Sequence, residues 1–369
     1  MNTHETHPLP PHVELTLMRH CPLVTCGQEV RRGERVATSS VPDMGDIHTP
    51  IAGKVSQVDA FRVRITAEGN AEVEPEDLRD ISGAELRTRL AGLGADLAPI
   101  PEAGTDFLII NAVDAEPGVL ARQELLSSSR ATLERGLEAV IALYAPSRTV
   151  LATLKGSGKA FSDTESAEIS EQYPAGLDPM VAYTVTGVEA PDKTVVLGLE
   201  ILFHVGRIME TGLPVMETMV TLGNSASLVP LGTPAGLLLE KTGQKPGNLD
   251  RIVLGGVLRG TAAASPMQGV ARNTSAISVV TNEAPVAVDS PCVGCGECVR
   301  HCPARLDPAM ITSYAEFGMY DKAAAEHVEA CFECGLCGFF CIARRPMLQY
   351  IRLAKSELAR AKALTAEEN

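Results

Sequence analysis

Two stretches, Cys292-Val-Gly-Cys295-Gly-Glu-Cys298-Val-Arg-His-Cys302-Pro303 and Cys331-Phe-Glu-Cys334-Gly-Leu-Cys337-Gly-Phe-Phe-Cys341, decide how this chain is read. Each is C-x2-C-x2-C-x3-C. Two consecutive x2 spacings form a tight loop that points three thiolates at one 4Fe-4S cube, and the fourth cysteine is sent to the other cluster. The expected ligand sets are Cys292, Cys295, Cys298 and Cys341 for one cluster, and Cys331, Cys334, Cys337 and Cys302 for the other. Eight of the ten cysteines are used this way. Zinc sites and disulfide frameworks do not duplicate this spacing. Pro303 ends the first run, whereas Ile342 stands at the matching place in the second.

Working outward, the segment between the runs is expected to be helical. Asp307 and Pro308 offer an N-cap and a first-turn proline, and Gly318 offers a stop. A second, alanine-rich helix is expected to be capped by Asp321 and to end near Ala330. A last helix should run from Pro346 to about Leu364, with Leu348, Ile351 and Leu358 on one face. Arg352, Lys355, Arg360 and Lys362 fall elsewhere on it, as solvated surface or a docking face. A two-helix connection between cluster motifs predicts an α-helical ferredoxin domain over residues 285–369.

Upstream, the expected fold class is multidomain α/β and α+β. Residues 1–75 alternate apolar residues with turn glycines, as in Gly27, Val30, Gly33 and Val36 and again in Pro50, Gly53 and Val55, which predicts a small β module. Cys21 and Cys26 lie there beside His20; their spacing matches no zinc pattern, so free thiols are expected. Residues 76–214 predict a Rossmann-like α/β core: a helix over 76–93, a buried strand Phe107–Ile110, a helix over 122–142 and a strand Thr149–Leu154. The loop from Lys155 to Lys159 lacks a full phosphate-cradle motif and is read as a plain turn. Residues 215–284 alternate strands with Gly/Pro turns around one short helix, Ala235–Lys241, which predicts a β-grasp-like module.

The chain has 369 residues, a formal charge of −14, no Trp and 4% aromatic residues. Acidity and scarce aromatics exclude non-specific nucleic-acid binding and base-stacking platforms. Met1 is followed by neither a basic nor an apolar stretch of the kind that marks a secretory signal. No run approaches the ~20 apolar residues of a membrane span. Reduced thiols at cluster spacing fit a cytoplasmic compartment.

Taken together, the lipoyl-like N-terminal pattern, the turn Asn111-Ala-Val-Asp114-Ala-Glu116-Pro117-Gly118 after a strand, the Leu231-Gly-Thr-Pro234 segment with Gly255-Gly256, and the double cysteine tail ending Pro346-Met-Leu-Gln-Tyr-Ile-Arg-Leu-Ala-Lys355 resemble the RnfC family. These are the peripheral iron–sulfur subunits of Rnf electron-transport complexes, related to the flavin- and NADH-binding subunit of respiratory complex I. The resemblance covers nearly the whole chain. It implies two 4Fe-4S clusters, membrane-embedded and soluble partner subunits, a soluble electron carrier, and a place on the inner face of the cell membrane.

The resemblance also implies an FMN and NADH site that begins with the loop G-x-G-G-A-G-F-P-T. The corresponding stretch is Gly92-Leu-Gly94-Ala95-Asp96-Leu97-Ala98-Pro99-Ile100. Gly92 and Gly94 survive, and Asp114 and Glu116 match the acidic turn. Ala95 and Leu97 replace glycines whose backbones would approach phosphate, and Asp96 places a negative charge there. A weakened site without working FMN or NADH is expected. Three functions fit this sequence: an electron relay through two clusters, an NADH dehydrogenase subunit with a modified flavin loop, and a non-catalytic iron–sulfur scaffold or redox sensor.

Overall fold

A computed structural model describes residues 7–100, 105–157, 160–281 and 291–367. The chain forms two compact units, Met1–Gly256 with Thr261–Thr281, and Val257–Gly260 with Asn282–Asn369. It is a mixed α/β protein with several sheets. Among the described residues no helix is long and apolar enough to cross a membrane.

The first unit opens with an antiparallel sheet whose strands run in the order His12–Thr16, Arg62–Ala67, Gly53–Val58, Glu29–Val30. A second, three-stranded sheet contains His20–Pro22, Arg35–Ser39 and Ile47–His48. The apolar alternation produces the packing: Val13, Leu15, Val63 and Ile65 are buried, as period-two patterning requires. Glu14 lies opposite Arg64 across the strand pair and accepts from its Nε at 2.7 Å.

Next comes a parallel sheet in the order Glu165–Ile169, Arg148–Leu154, Phe107–Asn111, Thr194–Gly198. The expected single helix over 122–142 is two helices, Ala121–Ser128 and Arg130–Tyr144, broken at Ser129. Three consecutive serines explain the break, because Ser127 and Ser128 both turn their hydroxyls onto the Glu124 carbonyl and compete with the helical ladder. The helix expected over 76–93 is shorter, Gly83–Gly92, starting after extended Ser82. Helix Arg130–Tyr144 crosses helix Leu199–Thr211 at two glycines. A Cβ on Gly136 would strike the Leu202 carbonyl, and one on Gly206 the Thr132 carbonyl. The stretch Thr194–Val205 is thus a strand followed by a helix.

The winding of the parallel sheet reverses between Phe107–Asn111 and Thr194–Gly198. In open α/β sheets the crevice beyond the strand ends at such a point is where ligands bind. Here it holds a polar network. The Asn111 side chain, fully buried, donates to the Gly176 carbonyl at 2.9 Å and to Asp178 at 2.7 Å. Arg122 donates to both oxygens of Glu200, at 3.0 and 2.9 Å, and to the Val113 carbonyl. Burial works against these charges, yet Glu200 and Asp178 hold the guanidinium above its usual pKa. A Cβ on Gly198 would run into both Arg122 and Glu200.

The fourth sheet, in the order Ser225–Pro230, Glu217–Leu222, Ala276–Val280, Arg251–Leu254, Thr261–Ala262, packs Ile252 and Ile277 against helix Ala235–Lys241.

The second unit is helical: Glu297–Arg300, Pro308–Glu316, Tyr320–Ala325, Leu336–Phe339 and Met347–Glu367. Asp307 caps as expected, accepting from the Ala309 and Met310 amides, and Gly318 adopts a left-handed φ of 68° after the helix ends. Asp321 is not a cap. It sits inside the second helix, which begins at Tyr320 and stops at Ala325; left-handed His327 then opens a 3-10 turn, Val328–Ala330. Ile311, Ala323, Val328, Met347, Ile351 and Leu358 form the core.

Two substitutions test these contacts. Gly206→Val should lower unfolding stability by about 1–3 kcal/mol through overpacking at the helix crossing, read from the urea midpoint. Arg122→Met leaves Glu200 and Asp178 without their cation. The loss should be about 3 kcal/mol, the low end of the range for broken buried pairs because Glu200 keeps some solvent contact; adding Glu200→Gln should recover part of it.

Candidate iron–sulfur centres

The cysteine loops repeat each other. Every cysteine of the second run lies 39 positions after its counterpart, Cys331 after Cys292 and Cys341 after Cys302. The backbone repeats with them. Left-handed residues occur at Gly294 (φ 67°) and Glu333 (φ 56°), at Gly296 (73°) and Gly335 (78°), and at Arg305 (56°) and Arg344 (52°). The first two pairs reverse the chain between successive cysteines, and the third follows the fourth cysteine of each run. Glycine enters this region without strain, whereas Glu333 does so at a cost of about 1–2 kcal/mol. The short helices Glu297–Arg300 and Leu336–Phe339 then carry the third cysteine of each run.

The halves interleave. A cavity of about 210 Å³ is lined by Cys292, Cys295 and Cys298 together with Cys341 of the other run, and by Asp307 and Arg345. Cys302 enters the electrostatics of Cys331, Cys334 and Cys337. Cys341 thus shares a cavity with the first three cysteines of the other run, and Cys302 acts electrostatically on three cysteines of the second. His301 and Phe340 stack with ring centroids 3.6 Å apart and planes 11° from parallel. Each ring immediately precedes the fourth cysteine of its run.

Among the described residues no three His, Cys, Asp or Glu side chains converge on a single-ion site. A cube does not require convergence, since each iron takes its own thiolate and the sulfurs ring the cluster. The donor set and the cavity between its members fit such a group. Burial pushes the Cys298, Cys331 and Cys334 thiols up and that of Cys337 to about 12, so ligation to iron must release protons. Cys21 and Cys26 stand apart and are exposed. His20 is occupied by the Leu17 and Gly45 carbonyls at 2.8 and 2.9 Å.

The stretch Gly92 to Ile100 is packed in part, with Ala98 and Pro99 exposed. Ala95, Leu97 and Ile100 are buried in the main core, and the Leu97 amide donates to the Asp43 carbonyl. Gly94 has a φ of 97°, and its Cα faces Val215 and His48. Its carbonyl, with that of Asp46, accepts from Arg272. Gly92 ends its helix with open space beside it. Asp114 accepts from the Arg122 and Gln123 amides at 2.8 and 3.1 Å and so caps helix Ala121–Ser128; burial pushes its carboxyl up to about 6. Glu116 is buried, and its carboxylate occupies the space that a Cβ on Gly256 would need. Of the loop beginning at Lys155, Gly158 and Lys159 lie outside the described residues.

Sequence reasoning missed Arg122, Asp178 and Glu200, which meet only because the parallel sheet brings their helices together. It also missed the role of Arg352 and Lys355, both of which bind Glu333 instead of facing solvent alone.

Residues 284–342 match the family model of the 4Fe-4S dicluster domain. The chain is 25% identical over 388 residues to the C subunit of the Na(+)-translocating ferredoxin:NAD(+) oxidoreductase complex of Acetobacterium woodii, covering 91% of this chain and 87% of that one. It is 24% identical to the proton-translocating counterpart of Clostridium ljungdahlii, covering 96% and 89%. Against the C subunit of the ion-translocating oxidoreductase complex of Erwinia tasmaniensis identity is 28%, over 95% of this chain but 50% of the relative. Among solved structures, the NAD+-reducing [NiFe]-hydrogenase in its H2-reduced state matches with a TM-score of 0.41 at 16% identity, over 76% of this chain and 63% of that one. The cysteine tail and the modules before it thus carry a similarity that runs through at least 91% of the chain, and what it is similar to is the C subunit of the Rnf-type ion-translocating oxidoreductase complexes.

Proposed function

We propose that this chain is a peripheral electron-transfer subunit of a membrane-bound, Rnf-like oxidoreductase complex. The observation that carries the reading is the cavity lined by three cysteines of one run and the last of the other. Cys292, Cys295, Cys298 and Cys341 would hold one 4Fe-4S cluster, and Cys331, Cys334, Cys337 and Cys302 a second. Bound clusters supply one-electron transfer. The chain's own part is to shape both loops with left-handed residues, exclude water from the second group, and hold the halves together through the His301–Phe340 stack.

The modules upstream are assigned as lipoyl-like (1–75), Rossmann-like (76–214) and β-grasp-like (215–284), ahead of the helical ferredoxin domain (285–369). Their roles would be to position the clusters and bind partner subunits. Its place is the inner face of the cell membrane, docked on membrane-embedded subunits and served by a soluble carrier.

Electrons would enter through a partner. Two observations support a chain without working FMN or NADH: Leu93, Ala95, Leu97 and Ile100 are buried in the core, and the Arg122–Glu200 pair lies at the switch point. Gly92, Gly94, Asp114 and Glu116 then serve as helix end, packing glycine, helix cap and buried carboxylate.

Anaerobically purified protein should contain about eight irons per chain, four for each cube, and no stoichiometric flavin. NADH should not reduce ferricyanide through it; rapid NADH-dependent reduction with bound FMN would establish the dehydrogenase reading instead. Cys302→Ala should lower the iron to about four per chain while the set containing Cys341 stays loaded. A pairing confined within each run would instead remove iron from the first run.

A further inference from the structure

The two cysteine groups lie in unlike surroundings. In the first group Cys292 and Cys295 are exposed, Cys341 is partly buried and Cys298 buried; in the second Cys334 and Cys337 are buried and Cys302 and Cys331 partly so, so only the first has exposed thiols. Adding one electron makes a four-thiolate cluster one unit more negative. Burial opposes that step, and a nearby cation favours it.

The buried group has such a cation. Lys355, on helix Met347–Glu367, reaches the Cys331 loop. Its Nζ donates to the Cys331 carbonyl at 2.5 Å and to Glu333 Oε1 at 3.1 Å. Arg352, one turn earlier, donates from Nε to Glu333 Oε2 at 2.8 Å and from a terminal nitrogen to the Arg259 carbonyl at 2.7 Å. Arg259 Nε returns a bond to the Glu333 carbonyl at 3.0 Å. Three cations therefore meet at Glu333, two at its carboxylate and one at its carbonyl.

The internal repeat makes the asymmetry legible. At the same offset from its cysteines, the first half carries Glu316 where the second carries Lys355, and Ser313 where the second carries Arg352. Glu316 is spent on Arg345, which lines the first group's cavity beside Asp307. The helix of the second half thus brings a base to the Cys331 loop, where the matching position of the first half holds an acid that is paired with Arg345.

We infer that Lys355 is a positioning residue that tunes the second cluster, offsetting the effect of burial so that its reduction potential stays within reach of the first. Glu333 holds the ammonium in place and moderates its field. The inference rests on the two-cluster reading above.

The test is a mediator-buffered redox titration of the full chain, with dithionite as electron source and EPR as readout. Cys302→Ala identifies the second couple as the one that disappears. Lys355→Gln should shift that couple negative and leave the other unmoved at unchanged iron content, and Lys355→Arg should restore the original value. Glu333→Gln should shift the same couple positive. If Lys355→Gln fails to load iron, the sign of the Glu333→Gln shift decides: positive supports the inference and no shift overturns it. Full iron with neither couple moved in either variant overturns the role of Lys355 alone. Wild-type iron well below about eight per chain overturns the two-cluster reading itself.

Discussion

A tight loop cannot present three sulfurs to one side unless the chain reverses between them, and it reverses here through left-handed residues at matched positions. Gly294 and Gly296 do this in the first run without cost. The second run has Glu333 at the first of these positions, where a side chain is strained. The strain is met by contacts that the first run has no means to make: Arg352 and Lys355 take the carboxylate, and Arg259 takes the carbonyl. At Gly335 the opposite constraint holds, since any Cβ would meet the Leu258 carbonyl. The same backbone conformation is thus reached in one half by glycine freedom and in the other by electrostatic anchoring.

That difference propagates. Once Glu333 is fixed, the helix carrying Arg352 and Lys355 is held against the second loop, and its other face, through Met347, Ile351 and Leu358, packs into the core with Ile311 and Val328. Helix Pro308–Glu316 is held by other means, its Asp307 cap and the pairing of Glu316 with Arg345. The second loop is therefore fixed by its own charges, while the Glu316–Arg345 pair and the His301–Phe340 stack join the two halves.

Features set by local chemistry were legible in the sequence. Cysteine spacing, the Asp307–Pro308 start, the buried run at Phe107 and helix Ala235–Lys241 each depend on a few neighbouring residues. What could not be read depended on competition or distance. Asp321 has the chemistry of a cap, but the turn at Gly318 and Met319 starts the helix one residue before it. The three serines ending at Ser129 form an interruption visible only once their hydroxyls are seen on Glu124. Arg122, Asp178 and Glu200 each look like ordinary charged helix residues; their pairing is a product of sheet topology. The basic residues of the last helix were read as surface because their acid lies 19 and 22 positions away.

The loop from Gly92 to Ile100 shows how one set of substitutions can carry two consequences. From the sequence, Ala95 and Leu97 matter for what they remove, close backbone approach to a phosphate. In the structure they also add something, because both side chains are fully buried. Burying a leucine side chain contributes roughly 1.5–3 kcal/mol, so returning glycine to that position would cost stability even where it reopened space. Arg122 acts in the same direction at the strand ends, since its removal exposes carboxylates instead of an empty crevice. Both arrangements therefore stabilise this unit through its own side chains. On the proposed reading they leave the exposed and the buried cysteine groups as the places where this chain handles electrons.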